Sequence, residues 1–161
     1  MPAVAERIPA FVQQSAETVF QTMVNLQTKP VPAGETSSEH VAIDGIAGSV
    51  GFAGRSSGIL YFILSEALAN RLTQLMLGED APIGSAEVFD VVGELTNMIT
   101  GGLKSRLADA GFNCVLTIPT LMRAENVMVQ VKSANISVAH RFRIASLDEH
   151  FAVRVFLRLE T

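Results

Sequence analysis

The last third of the chain alternates between apolar and polar residues, and this alternation constrains the fold more than any other feature of the sequence. The alternating stretches are "NCVLTIP", "VMVQVKS", "ISVAHRFRIAS" and "FAVRVFLRLE". Successive side chains of a β-strand point to opposite faces, so a period of two predicts a strand with one apolar face. Consecutive strands joined by short connections predict an antiparallel sheet.

Two segments nearer the N-terminus also predict strands. Residues 41–54, "VAIDGIAGSVGFAG", contain frequent glycine, which indicates a bent or bulged strand. Residues 58–64, "GILYFIL", form a continuous apolar run of strand length, which indicates a buried central strand. Strands this apolar need helices to cover one of their faces.

Three segments have the sequence pattern of helices. Residues 6–26 place apolar side chains at the i, i+3, i+4 and i+7 positions. A second helix is predicted from a cap at Ser65 to Gly78, and a third from Ser85 to near Gly111. Residues 28–39 predict a loop and "EDAPIG" a turn. The expected fold class is therefore α+β, an antiparallel β-sheet with helices packed on one face, in a single domain of residues 1–161.

The composition excludes several classes of protein. Of the 161 residues, 48% are apolar and only 17% are charged, which argues against disorder. The net charge of −4 leaves no basic face for phosphates, so no nucleic-acid partner is expected. The one basic cluster is interpreted as the polar side of a sheet and comprises Arg141, Arg143, Arg154 and Arg158.

Membrane association and metal binding are not expected either. No apolar stretch approaches the roughly 20 residues that span a bilayer, and the N-terminus lacks the pattern of a secretion signal. Cys114, the single cysteine, is interpreted as a small buried residue of a strand, and it cannot form an internal disulfide. The histidines lack the i, i+4 spacing of a helical metal site. A cytoplasmic location fits best.

The third helix contains the most suggestive motif, "GELTNMITGG" at residues 93–102. On a wheel of ~100° per residue, Asp90, Glu94, Asn97 and Gly101 cluster on the polar face. Glycine in a helix interior costs about 1 kcal/mol relative to alanine, and at Gly101 it would let another surface approach closely. The adjacent Gly102 lies nearer the core and is interpreted as allowing close helix–sheet packing. Spacing alone leaves two readings open, a binding site and an ordinary solvated helix face.

The segment "VVGELTNMITGGLKSRL" resembles the central helix of the CheX branch of the CheC/CheX/FliY family of chemotaxis phosphatases. The resemblance extends to "FVQQSAETVFQTMV", "LTQLMLGED" and "LTIPTLM". It implies an enzyme that removes the phosphoryl group from the aspartyl phosphate of a CheY-type response regulator. One active motif is implied, because the first helix has Glu17 but carries Phe20 where a second motif needs asparagine. The stretch "RAENV" departs from the family, since a glycine-containing turn is expected there.

This resemblance also implies roles for single residues. An amide can accept a hydrogen bond from water and donate one to a phosphoryl oxygen, so Asn97 is the candidate for positioning the attacking water. By resemblance, Glu94 pairs with a lysine of the regulator, and Asp90, Gly101 and Lys104 extend the docking surface. No cofactor is expected on this chain, and Mg²⁺ is expected from the response regulator.

Two further expectations concern assembly and the alternative function. The resemblance implies a homodimer joined through sheet edges, which "VMVQVKSANISVAHRFRIAS" could provide. The main alternative is a non-catalytic module, similar to the flagellar switch protein FliM, that binds a phosphorylated regulator without hydrolysing its phosphate. A small-molecule enzyme is disfavoured, because the sequence has no glycine-rich phosphate loop and no nucleophile elbow.

Overall fold

The computed structural model describes residues 3–34, 36–79 and 83–160. These residues contain seven strands and three α-helices. They follow in the order α1 (Val4–Val24), β1 (Lys29–Val31), β2 (His40–Gly54), β3 (Ser56–Leu64), α2 (Glu66–Leu77), α3 (Ser85–Asp109), β4 (Cys114–Leu116), β5 (Thr120–Gln130), β6 (Ile136–Ile144), a short 3-10 helix (Ala145–Leu147) and β7 (Glu149–Leu159). The turn predicted for "EDAPIG" lies partly outside these ranges. No helix in the described ranges is both long enough and apolar enough to cross a bilayer.

The strands form one antiparallel sheet in the order β1-β6-β7-β3-β2-β4, and β5 also pairs with β2. β2 has 15 residues, which is long enough for one of its edges to pair with β4 near its end and with β5 over the rest. β3 lies between β7 and β2, so the prediction of a central strand at residues 58–64 is confirmed. The predicted antiparallel sheet is confirmed as well.

The three helices pack on one face of this sheet, as expected, and enclose the main core. Its centre is an aromatic cluster in which Phe20 of α1 stacks on Phe151 of β7 with ring centroids 4.2 Å apart. Phe142 stacks on the same Phe151 ring at 5.0 Å, and Phe62 contacts that ring edge-on at 5.6 Å. Such pairs add about 0.5–1.5 kcal/mol each beyond the area they bury. This cluster fixes α1 on the sheet.

The pairing of the long strand β2 is irregular at one of its glycines, Gly45, whose φ is 110°. Its register with β5 shifts between Ile43 and Gly45, where β5 contains one extra residue. Asn126 of β5 takes the left-handed conformation there, with φ 52°. The glycine-containing turn expected at "RAENV" is therefore wrong: β5 runs through this stretch, and a β-bulge with asparagine absorbs the irregularity.

Two other sequence expectations need correction. The predicted loop at residues 28–39 contains the short strand β1, which pairs with Arg141–Arg143 of β6. The predicted strand "NCVLTIP" ends early, because β4 covers only Cys114–Leu116. Cys114 itself is buried, as expected.

Arg154 lies on the sheet face away from the helices, but it is only 8% exposed, so it is not part of a polar surface as the sequence had suggested. Its guanidinium donates hydrogen bonds to the carbonyl oxygens of Ser37 at 2.6 Å and His40 at 3.1 Å, and it lies 4.8 Å from the centre of the Phe156 ring. Burial lowers the pKa of this guanidinium below its usual value. Arg154 thus anchors the loop before β2 to the sheet, whereas Arg141 and Arg158 are exposed as expected.

Candidate functional site

Helix α3 carries the candidate site, and its first turn and its buried side fix its position. At the start of the helix, the Glu87 carboxylate accepts a hydrogen bond from the Gly84 N–H at 2.9 Å. The buried hydroxyls of Thr96 and Thr100 donate to carbonyl oxygens one turn earlier, at 2.6 and 2.7 Å. Because these buried polar groups are satisfied within the helix, α3 packs against the sheet without leaving an unpaired donor.

The opposite side of α3 forms a polar ridge that faces solvent, and we call Asp90, Glu94, Asn97, Gly101 and Lys104 the α3 ridge. Asp90, Glu94 and Asn97 are exposed, as the helical wheel predicts. Residues three or four positions apart on a helix have Cβ atoms roughly 5–6 Å apart. The carboxylate of Glu94 and the amide of Asn97 therefore lie side by side on an accessible surface.

An open depression of about 260 Å³ lies beside this ridge. It is lined by Phe89, Asp90, Gly93, Glu94, Asn97, Pro119 and Leu121. Its small volume and open shape fit the surface of another protein better than an enclosed small molecule. We call this depression the ridge pocket.

The ridge pocket gathers three of the five predicted site residues, Asp90, Glu94 and Asn97. Gly101 lies one turn further along the ridge. Lys104 lines a different crevice with residues of β4, so the structure does not bring it to the pocket.

Pro119 and Leu121 form the wall of the pocket opposite α3, and the sequence analysis did not assign them a role. A Cβ built on Gly93 would lie 3.2 Å from Leu121 Cδ2 and 3.9 Å from Pro119 Cβ. The missing side chain of Gly93 thus lets this segment lie directly against the helix. The stretch "LTIPTLM" was the available signal, but no local pattern shows that it lies against α3.

The two glycines at the end of the motif have different surroundings. Apart from its two neighbours and the backbone of α3 itself, no atom lies within 4 Å of a Cβ built on Gly101, so the ridge is open there. A Cβ on Gly102 would lie 3.0 Å from Ser15 Oγ of α1. The interpretation that Gly102 allows helix–sheet packing is wrong, because Gly102 allows α3 to approach another helix.

The ridge pocket carries unbalanced negative charge. Asp90 and Glu94 are one turn apart, and a like-charge pair at this spacing costs about 0.2–0.5 kcal/mol. None of the ion pairs in the described residues includes either of them. Arg123 lies against Phe89 of the pocket at 5.4 Å, but it donates at 2.6 Å to Glu66 of α2. The acidic pair is therefore left to attract a cationic group from outside the chain.

α1 has no equivalent of this arrangement. Phe20, at the position where a second motif needs asparagine, is fully buried in the aromatic cluster. Across residues 3–34, 36–79 and 83–160, no group of three or more His, Cys, Asp or Glu side chains could hold a metal ion.

Comparisons with known proteins give a consistent result. The sequence model of the family "Chemotaxis phosphatase CheX" matches residues 46–143, which include all of α3 and the wall of the ridge pocket. No curated protein matches this chain significantly.

Solved structures of similar fold include chemotaxis proteins from several bacteria. The chemotaxis protein CheX from Vibrio vulnificus is 26% identical and aligns over 98% of this chain and 100% of its own, with a TM-score of 0.79. A chemotactic CheC-like protein from Shewanella oneidensis is 26% identical over 92% of this chain and 96% of its own, with a TM-score of 0.74. The fold is also shared with a protein in the CheX–CheY–BeF3–Mg²⁺ complex from Borrelia burgdorferi, which is 20% identical over 92% of this chain and 96% of that one, with a TM-score of 0.70.

Proposed function

Because the chain belongs to the CheX family of chemotaxis phosphatases, we propose that it stimulates hydrolysis of the aspartyl phosphate on a CheY-type response regulator. One observation carries this proposal: Glu94 and Asn97 stand exposed, side by side, on an open pocket. The Borrelia burgdorferi complex of CheX with CheY supports the class of partner.

Asn97 is the residue that we propose to position the attacking water. Hydrolysis of an acyl phosphate needs a water in line with the leaving oxygen and stabilisation of charge on the moving phosphoryl group. The Asn97 Oδ1 accepts a hydrogen bond from the water, while its Nδ2 donates toward a phosphoryl oxygen. A carboxamide does not titrate near neutral pH, so its contribution is orientation and not proton abstraction.

Glu94 is proposed to anchor the regulator by pairing with its active-site lysine. The unpaired negative charge of Glu94 and Asp90 favours a cationic partner group at this place. A charge pair that is desolvated in an interface fixes the register of the two proteins even where its net energy is small. The open surface at Gly101 lets the ridge enter the phosphorylation pocket.

The metal is proposed to come from the partner. Mg²⁺ neutralises charge on the phosphoryl group and is held by acidic side chains in most phosphoryl-transfer sites. The Borrelia burgdorferi complex contains Mg²⁺ and BeF3 together with CheY, which supports a metal on the regulator. This chain then supplies Asn97 and Glu94 to the phosphorylation pocket of the regulator, which already holds the metal.

A homodimer is part of the proposal. Within the described residues, β5 pairs with β2 along one edge only, so its outer edge is free for another strand. Val127 and Met128 of this strand are 41% and 64% exposed. Sedimentation equilibrium at twice the 17.2 kDa of one chain supports the dimer, and a mass of one chain contradicts it.

Phosphate release from phosphorylated CheY-type receiver domains tests the function directly. Catalytic amounts of the protein should shorten the lifetime of the phosphorylated receiver domain. Asn97→Ala should nearly abolish this effect while it leaves binding of the receiver domain intact. A wild-type protein that binds the phosphorylated receiver domain and does not shorten its lifetime would be a FliM-like binding module instead.

A further inference from the structure

Ile118 is the most exposed of the large apolar side chains in the described residues, at 85%. It immediately precedes Pro119, which lines the ridge pocket. Single exposed apolar residues are common on protein surfaces and need no explanation by themselves. The position of Ile118 and the rigidity of its backbone are what give it significance.

The residues on both sides of Ile118 are fixed. The Thr117 N–H donates to the Gly51 carbonyl oxygen at 2.8 Å, and the Thr117 hydroxyl accepts from the Gly51 N–H at 2.9 Å. Pro119 on the other side lies against Gly93 of α3. The backbone of Ile118 is therefore held between β2 and α3 while its side chain projects into solvent. A side chain presented in this way needs little ordering of the chain when it is buried by a partner.

We propose that Ile118 is an apolar anchor that the docked receiver domain buries, and that it sets the position of the α3 ridge on that domain. This proposal rests on the proposed function. A receiver domain that reaches Asn97 covers the walls of the ridge pocket, and Pro119 is one of those walls. Ile118 adjoins it directly. Apolar anchors surrounded by polar groups carry much of the energy of protein interfaces.

The charge of the pocket favours a receiver domain over a second copy of this chain. A symmetric contact between two copies at this surface would bring Asp90 and Glu94 of both chains together, and like charges across an interface are unfavourable. The partner that fits presents an apolar depression for Ile118 beside a cationic side chain for the acidic pair.

Ile118 acts on docking in this proposal, so it is a positioning residue and not a catalytic one. Its substitution should change KM and leave kcat at saturation unchanged. The matched control is Val115 of β4, which is also β-branched and 72% exposed. Its neighbours Cys114 and Leu116 contact α3, so the alternation of the strand points Val115 to the other side of the sheet.

The experiment measures two quantities on a panel of CheY-type receiver domains. The first is the Kd of each variant for the receiver domains loaded with BeF3⁻ and Mg²⁺, and the second is the KM and kcat of phosphate release. Ile118→Ala and Ile118→Asp should raise Kd and KM by about tenfold or more while kcat stays within about twofold. Ile118→Leu should stay within about threefold of wild type, and Val115→Ala within about twofold. Circular dichroism confirms that each variant is folded.

Several results would overturn the inference. Unchanged Kd in Ile118→Asp, an equal effect of Val115→Ala, or a loss of kcat with unchanged KM each contradicts an anchor. A change of oligomeric state in Ile118→Asp without a change in Kd assigns the residue to a contact between copies. If wild type binds a receiver domain without hydrolysing its phosphate, the proposed function fails. The Kd values of the Ile118 variants then decide by themselves whether Ile118 is an anchor. If wild type neither binds nor dephosphorylates any member of the panel, both fail.

Discussion

Replacing Gly101 should make the protein more stable and less active at the same time. Gly101 is in the interior of α3, and no atom other than those of its neighbours and the α3 backbone lies within 4 Å of a Cβ built on it. Alanine is favoured over glycine in a helix interior by about 0.8–1.0 kcal/mol. For a chain of this size, 1 kcal/mol corresponds to a Tm shift of roughly 2–4 °C. Gly101→Ala is therefore expected to raise Tm by about 2–4 °C, and Gly101→Leu by nearly as much.

The activity should move in the opposite direction. Gly101 lies one turn beyond Asn97 on the α3 ridge, so a leucine there stands between the helix and an approaching receiver domain. Gly101→Leu should lower kcat/KM by at least about tenfold, equivalent to about 1.4 kcal/mol, mainly through KM. Gly101→Ala adds a single methyl group and should change kcat/KM by less than about threefold.

The adjacent Gly102 is the control for position on the helix. A Cβ there would lie 3.0 Å from Ser15 Oγ, and this hydroxyl donates to the Phe11 carbonyl oxygen at 2.7 Å and accepts from Arg106 at 3.1 Å. Overpacking costs about 1–3 kcal/mol and offsets the gain in helix propensity. Gly102→Ala should therefore melt below Gly101→Ala, and its kcat/KM should stay within about twofold of wild type.

Thermal unfolding followed by circular dichroism and phosphate release from a receiver domain give the two measurements. A lower Tm for Gly101→Leu would show that Gly101 is a packing residue. A stable Gly101→Leu protein with wild-type kcat/KM would refute the docking of the α3 ridge on its partner.

Three other predictions follow from the same structure. Asn97→Ala should lower kcat by about 100-fold, or about 2.7 kcal/mol, with Kd unchanged, and a variant with more than about half of the wild-type rate contradicts water positioning. Glu94→Gln should raise KM and make it less sensitive to salt in assays at several ionic strengths, and an unchanged salt dependence contradicts the charge pair. Tyr61, the only tyrosine, is buried, and burial raises its pKa above the usual 10.0. Just above pH 10.0 the unfolded chain loses this proton while the folded protein keeps it, so the free energy of unfolding should fall as the pH rises. The tyrosinate absorbance of the folded protein should appear at higher pH than that of the unfolded chain. A titration midpoint at pH 10.0 in the folded protein contradicts this.

The helices were predicted from local sequence patterns. The periodicity of residues 6–26 predicted α1, and the predicted cap at Ser65 is observed, since its hydroxyl accepts from the Leu68 N–H at 3.0 Å. The wheel of α3 also predicted which side of the helix is exposed. These properties depend on residues within a few turns of each other, and the sequence contains them directly.

Properties that depend on distant segments were predicted less well. Arg154 looked like an outward-facing residue of an alternating strand, yet the loop before β2 folds over it and supplies carbonyl oxygens. The stretch "RAENV" forms a bulge within β5 and not the expected turn, because β5 pairs with β2 on both sides of it. Neither feature has a signature within its own segment.

The candidate site likewise has one part that depends on local sequence and another that depends on contacts between distant segments. The sequence of α3 alone was sufficient to place Glu94 and Asn97 on the same solvent-exposed side of the helix, because the helical repeat sets that geometry. The packing of distant segments, which no local pattern predicts, makes Pro119 and Leu121 the opposite wall and leaves the adjoining Ile118 exposed. Their place depends on Gly93, where a missing side chain lets a segment from beyond β4 lie against the helix, and contacts between segments so far apart follow from the packing of the whole sheet.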